Sequence, residues 1–232
     1  MISRANSRPW FPTATHDARH EPEIIGNALL IGLDFDNTLA GYDHVFSDAA
    51  REHGFIQGAS PLSKTEVRTH VLGLKGGEKK WMALQGEVYG KRMHGATLMP
   101  GAGEFLSACK KYAAPVVIVS HKTEYGHYDN DRVNLREAAM MWMTAQGFFD
   151  ADGYGLNRSN VFFESTRTEK INRIAQLGCT WFVDDLVEVF QEPGFPENVS
   201  RILYDASGGA QPDSLFERHA DWQSIERAVF GR

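Results

Sequence analysis

Two cysteines in 232 residues are too few for a disulfide framework, and Cys109 and Cys179 lack the Cys-x-x-Cys spacing of a redox or zinc motif. Each is expected in the core as a small apolar residue. Positive charge is scarce as well: 24 Lys and Arg stand against 30 Asp and Glu, a formal net charge of −6. Without a basic surplus to neutralise phosphates, a nucleic-acid backbone is not an expected partner. A small anion, which needs only a local positive site, is not excluded. Long apolar runs are missing too. The longest, Ile24 to Leu33, contains Asn27 and is about half the ~20 residues of a membrane span, so no membrane partner is expected. Met1–His20 carries Arg, Pro, His and Asp in place of the apolar stretch of a secretory signal, which makes cytoplasm the expected compartment. No internal repeat or low-complexity tract is present.

What is present is a globular composition, 42% hydrophobic, enough for one sizeable core with or without a small accessory domain. Residues 1–22 are polar, with Pro9, Pro12 and Pro22 and no amphipathic period, and read as an arm, disordered or lying on the surface. Apolar runs of strand length occur at 28–34, 116–119, 161–163, 181–183 and 202–204. Helical patterns alternate with them, near 105–109, 131–146, 167–177 and 222–230. The expected fold is therefore α/β, a Rossmann-like parallel sheet flanked by helices. Segment 41–99 differs, with helical patterns only. Ser63-x-x-Glu66 is a capping box before Val67, Val71 and Leu74, and Trp81, Leu84 and Val88 share a stripe after Gly76–Gly77. An antiparallel helix pair there is a candidate cap domain on a core of 23–40 and 100–232.

Polar residues close several of these strands. Asp34 and Asp36 leave the first strand two positions apart, followed by Thr38; Ser120 closes the second, and Asp184–Asp185 another. Such residues are ordinary turn formers one at a time. A calcium loop starting at Asp34 would need Gly and Glu where Leu39 and Val45 stand, so it is excluded. In a parallel sheet all carboxyl ends share one edge, where separate strand ends converge into one site. Lys170 follows the capping box Thr166-x-x-Glu169 and sits in a first helical turn, where an anion is already favoured.

Taken in order, Asp34–Phe35–Asp36–Asn37–Thr38, Ser120, Lys170 and Asp184–Asp185 resemble the four motifs of the haloacid dehalogenase-like (HAD) hydrolase superfamily, over about residues 28–205. The resemblance implies Mg²⁺ held by Asp34, the Asp36 carbonyl, Asp184 and Asp185. It further implies Asp34 as nucleophile, Asp36 as acid and base, and Thr38, Ser120 and Lys170 on the phosphoryl oxygens. Because Asp36 suits an oxygen leaving group, it points to a phosphatase acting on a small phosphorylated metabolite, a sugar phosphate or a nucleotide. A phosphotransferase or phosphomutase, or a binding protein that kept the fold, are the rivals. Oligomeric state is not legible.

Further substrate candidates are His121 and Lys122 in the loop after Ser120 and, in the cap segment, Arg92 and His94. His127 and Asp129 crowd the same loop, without the helical spacing of a transition-metal motif. Trp81 and Tyr89 of the cap segment are aromatic candidates to face the site, of which Trp81 is expected to pack instead, and the consecutive Lys79 and Lys80 are expected to form a solvated face rather than Schiff-base chemistry.

Overall fold

The computed structural model describes residues 28–128, 131–208 and 213–231. The arm expected at 1–22 and Asp129 lie outside them. In chain order the elements are β1 (Ile31–Leu33), β2 (Ala40–Gly41), α1 (Asp43–Glu52), α2 (Lys64–Leu72), α3 (Gly77–Tyr89), β3 (Thr97–Leu98), α4 (Ala102–Lys111), β4 (Val116–His121) and α5 (Leu135–Ala145). They continue with β5 (Val161–Glu164), α6 (Arg167–Leu177), β6 (Trp181–Asp184), α7 (Val187–Phe190), β7 (Ser200–Tyr204), β8 (Glu217–His219) and α8 (Trp222–Phe230).

Six strands form one sheet in the order β5-β4-β1-β6-β7-β8, and every neighbouring pair is parallel. The central strands β1, β4 and β6 are apolar up to their carboxyl ends because both faces are covered. Along β4, Val116 and Ile118 join the core on one face while Val117 and Val119 join the core on the other. Ile202 and Leu203 of β7 divide the same way. Gly32 has a packing reason in β1: a Cβ built there would lie 2.4 Å from the Phe182 ring and 3.0 Å from Cys179 Sγ. Both cysteines are buried and free, as expected of small core residues.

The chain runs outward from β1 through β4 to β5, then returns to β6 on the other side of β1. That reversal opens a crevice at the carboxyl end of β1, where ligands bind in sheets of this kind. Sequence reasoning missed β8, a three-residue edge strand whose Glu–Arg–His composition carries no apolar alternation. It also missed the four-residue α7.

Between β2 and β3 the chain forms three α-helices, one more than the helix pair expected because α1 precedes that pair, and a short 3-10 turn at Met93–Gly95. β2 and β3 pair antiparallel, Ala40 with Leu98 and Gly41 with Thr97, and so bring the two ends of this insert together beside β1. Phe46 of α1 stacks on Trp81 of α3 at 5.1 Å, which accounts for Trp81 as packing. The α2 capping box is formed on both sides, Ser63 accepting from the Glu66 N–H and Glu66 accepting from the Ser63 N–H.

Candidate functional site

Parallel pairing of β1 with β6 sets Leu33 opposite Val183, and the Asp34 N–H donates to the Val183 carbonyl at 2.9 Å. Asp34 and Asp184 thereby leave adjacent strands side by side, both buried. Two unpartnered carboxylates in an apolar setting would be costly, and α6 supplies the countercharge. Its Thr166–Glu169 capping box is complete, which sets the first turn so that Lys170 points inward over Phe182. The ammonium donates to Asp34 Oδ1 at 2.5 Å and to Asp184 Oδ2 at 2.6 Å. The other oxygen of Asp184 accepts the Leu186 N–H at 3.0 Å.

After Asp36 the backbone reverses through Asn37, in the left-handed region at φ 62°, and the Asn37 N–H closes the turn on the Ala40 carbonyl at 2.8 Å. Asn tolerates that conformation better than most residues. The turn presents the Asp36 carboxylate to Lys122, whose Nζ donates at 2.7 and 3.0 Å, and to Tyr42, whose hydroxyl donates at 2.5 Å. It also directs Thr38 inward. Thr38 is fully buried, and its hydroxyl faces Asp185 Oδ1 at 3.5 Å.

A cavity of about 320 Å³ opens at this edge. Asp34, Asp36, Ser120, Lys170 and Asp185 line it, as do His121 and Lys122. His121 is held by a contact of its Nε2 with the Ser165 carbonyl at 3.1 Å. Four expectations need correction. Thr38 does not line the cavity, because the turn buries it beneath Asp185. Lys122, expected to meet a substrate anion, spends its charge on Asp36 and is only 3% exposed. Arg92 is on the outside of the insert, paired with Glu52 and Glu87, and His94 turns back on the Lys91 carbonyl; neither lines the cavity.

The insert instead contributes Tyr89, one of the cap aromatics considered for the site, and Lys64, which sequence reasoning did not single out. Lys64 is the first residue of α2, and no sequence signal separates it from Lys75, Lys79 or Lys80. Lys79 and Lys80 stay out of the cavity, over the rings of Tyr128 and Phe55.

Burial dominates the electrostatics. It pushes the Asp34 carboxyl up from 3.8 to about 7, with Lys170 opposing and the Asp184 carboxylate adding to the rise. Asp185 is likewise pushed well above the carboxylate range by burial, then by Asp34 and Asp184. Burial opposes the Lys170 ammonium, yet Asp184 and Asp34 hold it above the ordinary lysine range. Burial also opposes the Lys64 ammonium, and Tyr89, Asp185 and Asp36 together outweigh it. One oxygen from each of Asp34, Asp184 and Asp185 lies within 4.8 Å of the others. Three crowded carboxylates, two with their ionisation suppressed, are a donor set that a hard divalent cation fits.

This fold is that of the HAD-superfamily hydrolases. A candidate phosphoglycolate phosphatase from Lactobacillus plantarum superposes with a TM-score of 0.54 at 15% identity, covering 88% of this chain and 100% of that one. A HAD-family hydrolase from Deinococcus radiodurans, solved with phosphate and sodium, superposes with 0.53 at 15% identity, covering 88% and 95%. A HAD hydrolase from Bacillus subtilis, bound to magnesium, gives 0.52 at 11% identity, covering 88% and 99%. No protein-family model and no curated protein matches the chain. Among the described residues no helix is long and apolar enough to cross a membrane.

Proposed function

We propose that this protein is a Mg²⁺-dependent phosphatase that hydrolyses a small phosphorylated metabolite through an aspartyl-phosphate on Asp34. The observation that carries the reading is the Lys170 bridge between Asp34 and Asp184, with Asp34 and Lys170 lining a cavity together with Ser120 and Asp36. The phosphate of the Deinococcus protein and the magnesium of the Bacillus protein support this choice of ligands on the shared scaffold.

Asp34 attacks phosphorus, forming the Asp34–phosphate bond while the bond to the leaving oxygen breaks. Asp36 gives that oxygen a proton, then takes one from the water that cleaves the acyl phosphate and returns Asp34 as a carboxylate. Ser120 donates to the phosphoryl oxygens, and Lys170 balances their charge while keeping Asp34 aimed. Lys122 and Tyr42 hold the Asp36 carboxylate at the cavity wall. Asp34, Asp184, Asp185 and the Asp36 carbonyl would hold Mg²⁺, which supplies positive charge against the phosphoryl group and the crowded carboxylates. The insert between β2 and β3 acts as a cap that keeps bulk water from the cavity. The small cavity suits a metabolite better than a protein substrate, with sugar phosphates and nucleotides the first classes to try.

The test is phosphate release from a panel of phosphorylated metabolites, with Mg²⁺ and with chelator. Metal-dependent release that Asp34→Asn abolishes supports the reading. Release that Asp34→Asn leaves near normal removes the nucleophile assignment, and label from ¹⁸O-water absent from the released phosphate removes hydrolysis.

A further inference from the structure

The lysines that face the cavity differ in what balances their charge. Lys170 is bridged by Asp34 and Asp184, and Lys122 is paired with Asp36 at 2.7 Å. Lys64 also lines the cavity but makes no ion pair among the described residues. Its ammonium lies 5.8 and 5.7 Å from the ring centres of Phe46 and Tyr89. Aromatic faces attract a cation but leave its charge unneutralised. An ammonium that faces a cavity without an ion pair keeps its donors free for an incoming anion.

The position is built rather than incidental. The Lys64 N–H donates to Asp43 Oδ1 at 2.9 Å, and the capping box of Ser63 and Glu66 fixes the first turn of α2 around it. Tyr89 is wedged edge-on against Tyr42 at 5.0 Å and Phe46 at 5.6 Å, with the Lys122 ammonium 4.7 Å from its ring centre. Lys64 reaches the cavity from α2 of the insert, whereas Asp34, Ser120 and Lys170, which handle the phosphoryl group, reach it from the sheet edge, so Lys64 faces the leaving group.

We propose that Lys64 and Tyr89 form a subsite for a second anionic group, so that the substrate is a phosphate monoester whose leaving group carries a carboxylate or another phosphate. The inference rests on the phosphatase reading for which end of the substrate reacts. Its chemistry is a charge-assisted hydrogen bond from the ammonium, with the tyrosine hydroxyl beside it.

Calorimetric binding to the Asp34→Asn protein, in which turnover does not intrude, compares matched compounds. One pair is 2-phosphoglycolate and 2-hydroxyethyl phosphate; the other is propane-1,3-diol bisphosphate and 3-hydroxypropyl phosphate. The charged member of at least one pair is expected to bind about tenfold tighter, and the pair that shows this identifies carboxylate or phosphate as the anion. Adding Lys64→Met removes the preference, whereas Lys64→Arg retains it. Equal binding within both pairs overturns the inference, as does a preference that Lys64→Met leaves intact. Failure of the phosphatase reading shows separately, as no phosphate release from any of these compounds by the unaltered protein.

Discussion

Lys170 at the sheet edge and Arg92 on the outside of the helical insert each bridge two carboxylates, Asp34 with Asp184 in one case and Glu52 with Glu87 in the other. Exposure separates them: the Lys170 side chain is 2% exposed and the Arg92 side chain 26%. Water screens the outer network, so its pairs are worth little to stability. At the sheet edge burial removes that screening, and each charge depends on the others. The comparison shows why an arginine flanked by glutamates was misleading as a substrate candidate, while a lysine that composition would assign to the surface lies at the centre of the site.

The largest expected effect that sharpens this comparison is on chemistry. Asp34→Asn should lower phosphate release by roughly 10³-fold or more with the fold retained, measured by turnover alongside circular dichroism. Lys170→Met should break the buried network itself. It strands Asp34 and Asp184 without a countercharge, and a loss of about 3–5 kcal/mol is expected in denaturant unfolding. An exposed pair would lose far less, so a small loss would mean that the two networks are alike.

Lys122→Met frees Asp36 from its ion pair. It should lower kcat about ten- to a hundredfold for alkyl phosphates, whose leaving oxygen needs a proton. Aryl phosphates with acidic leaving groups should be spared, and equal losses on both would show that Lys122 does not act through Asp36.

Stability against pH probes the buried network in the metal-free protein. The folded-state pKa of Asp34 is raised from 3.8 to about 7, so the folded state binds more protons than the unfolded one across that window. Stability from this group therefore falls as pH rises from 3.8 towards about 7, and Asp185 shifts in the same direction. The raised Lys170 contributes fully below 10.5 and adds no slope there. Mg²⁺ should restore increasing stability over the same range, because it needs the carboxylates ionised. Thermal unfolding from pH 5 to 8 with and without Mg²⁺ checks both slopes. The smallest effect belongs to Arg92→Ala, with a slight loss of stability and unchanged phosphate release.

Much of this was legible locally. The capping boxes at Ser63 and Thr166 are contacts between residues three apart, and both form as their spacing indicates. The strand runs that became β1, β4, β5, β6 and β7 were readable because burial on both faces demands continuous apolar sequence. β8 was not, because an edge strand of charged residues carries no such pattern. Within the candidate site, Asp34, Ser120, Lys170 and Asp184–Asp185 were located by their places at strand and helix ends. Thr38 was misplaced because the reversal at Asn37 turns it under Asp185, a direction no spacing encodes.

By itself the sequence determined the parallel sheet and the carboxylates at its edge, since apolar runs and capping residues act over a few positions. The partners of the cations were decided by tertiary structure alone. Lys170 meets Asp34 across 136 residues and Lys122 meets Asp36 across 86, while Lys64 faces the rings of Phe46 and Tyr89. Those pairings follow from which helix packs over which strand, and a lysine's neighbours in sequence carry no record of that.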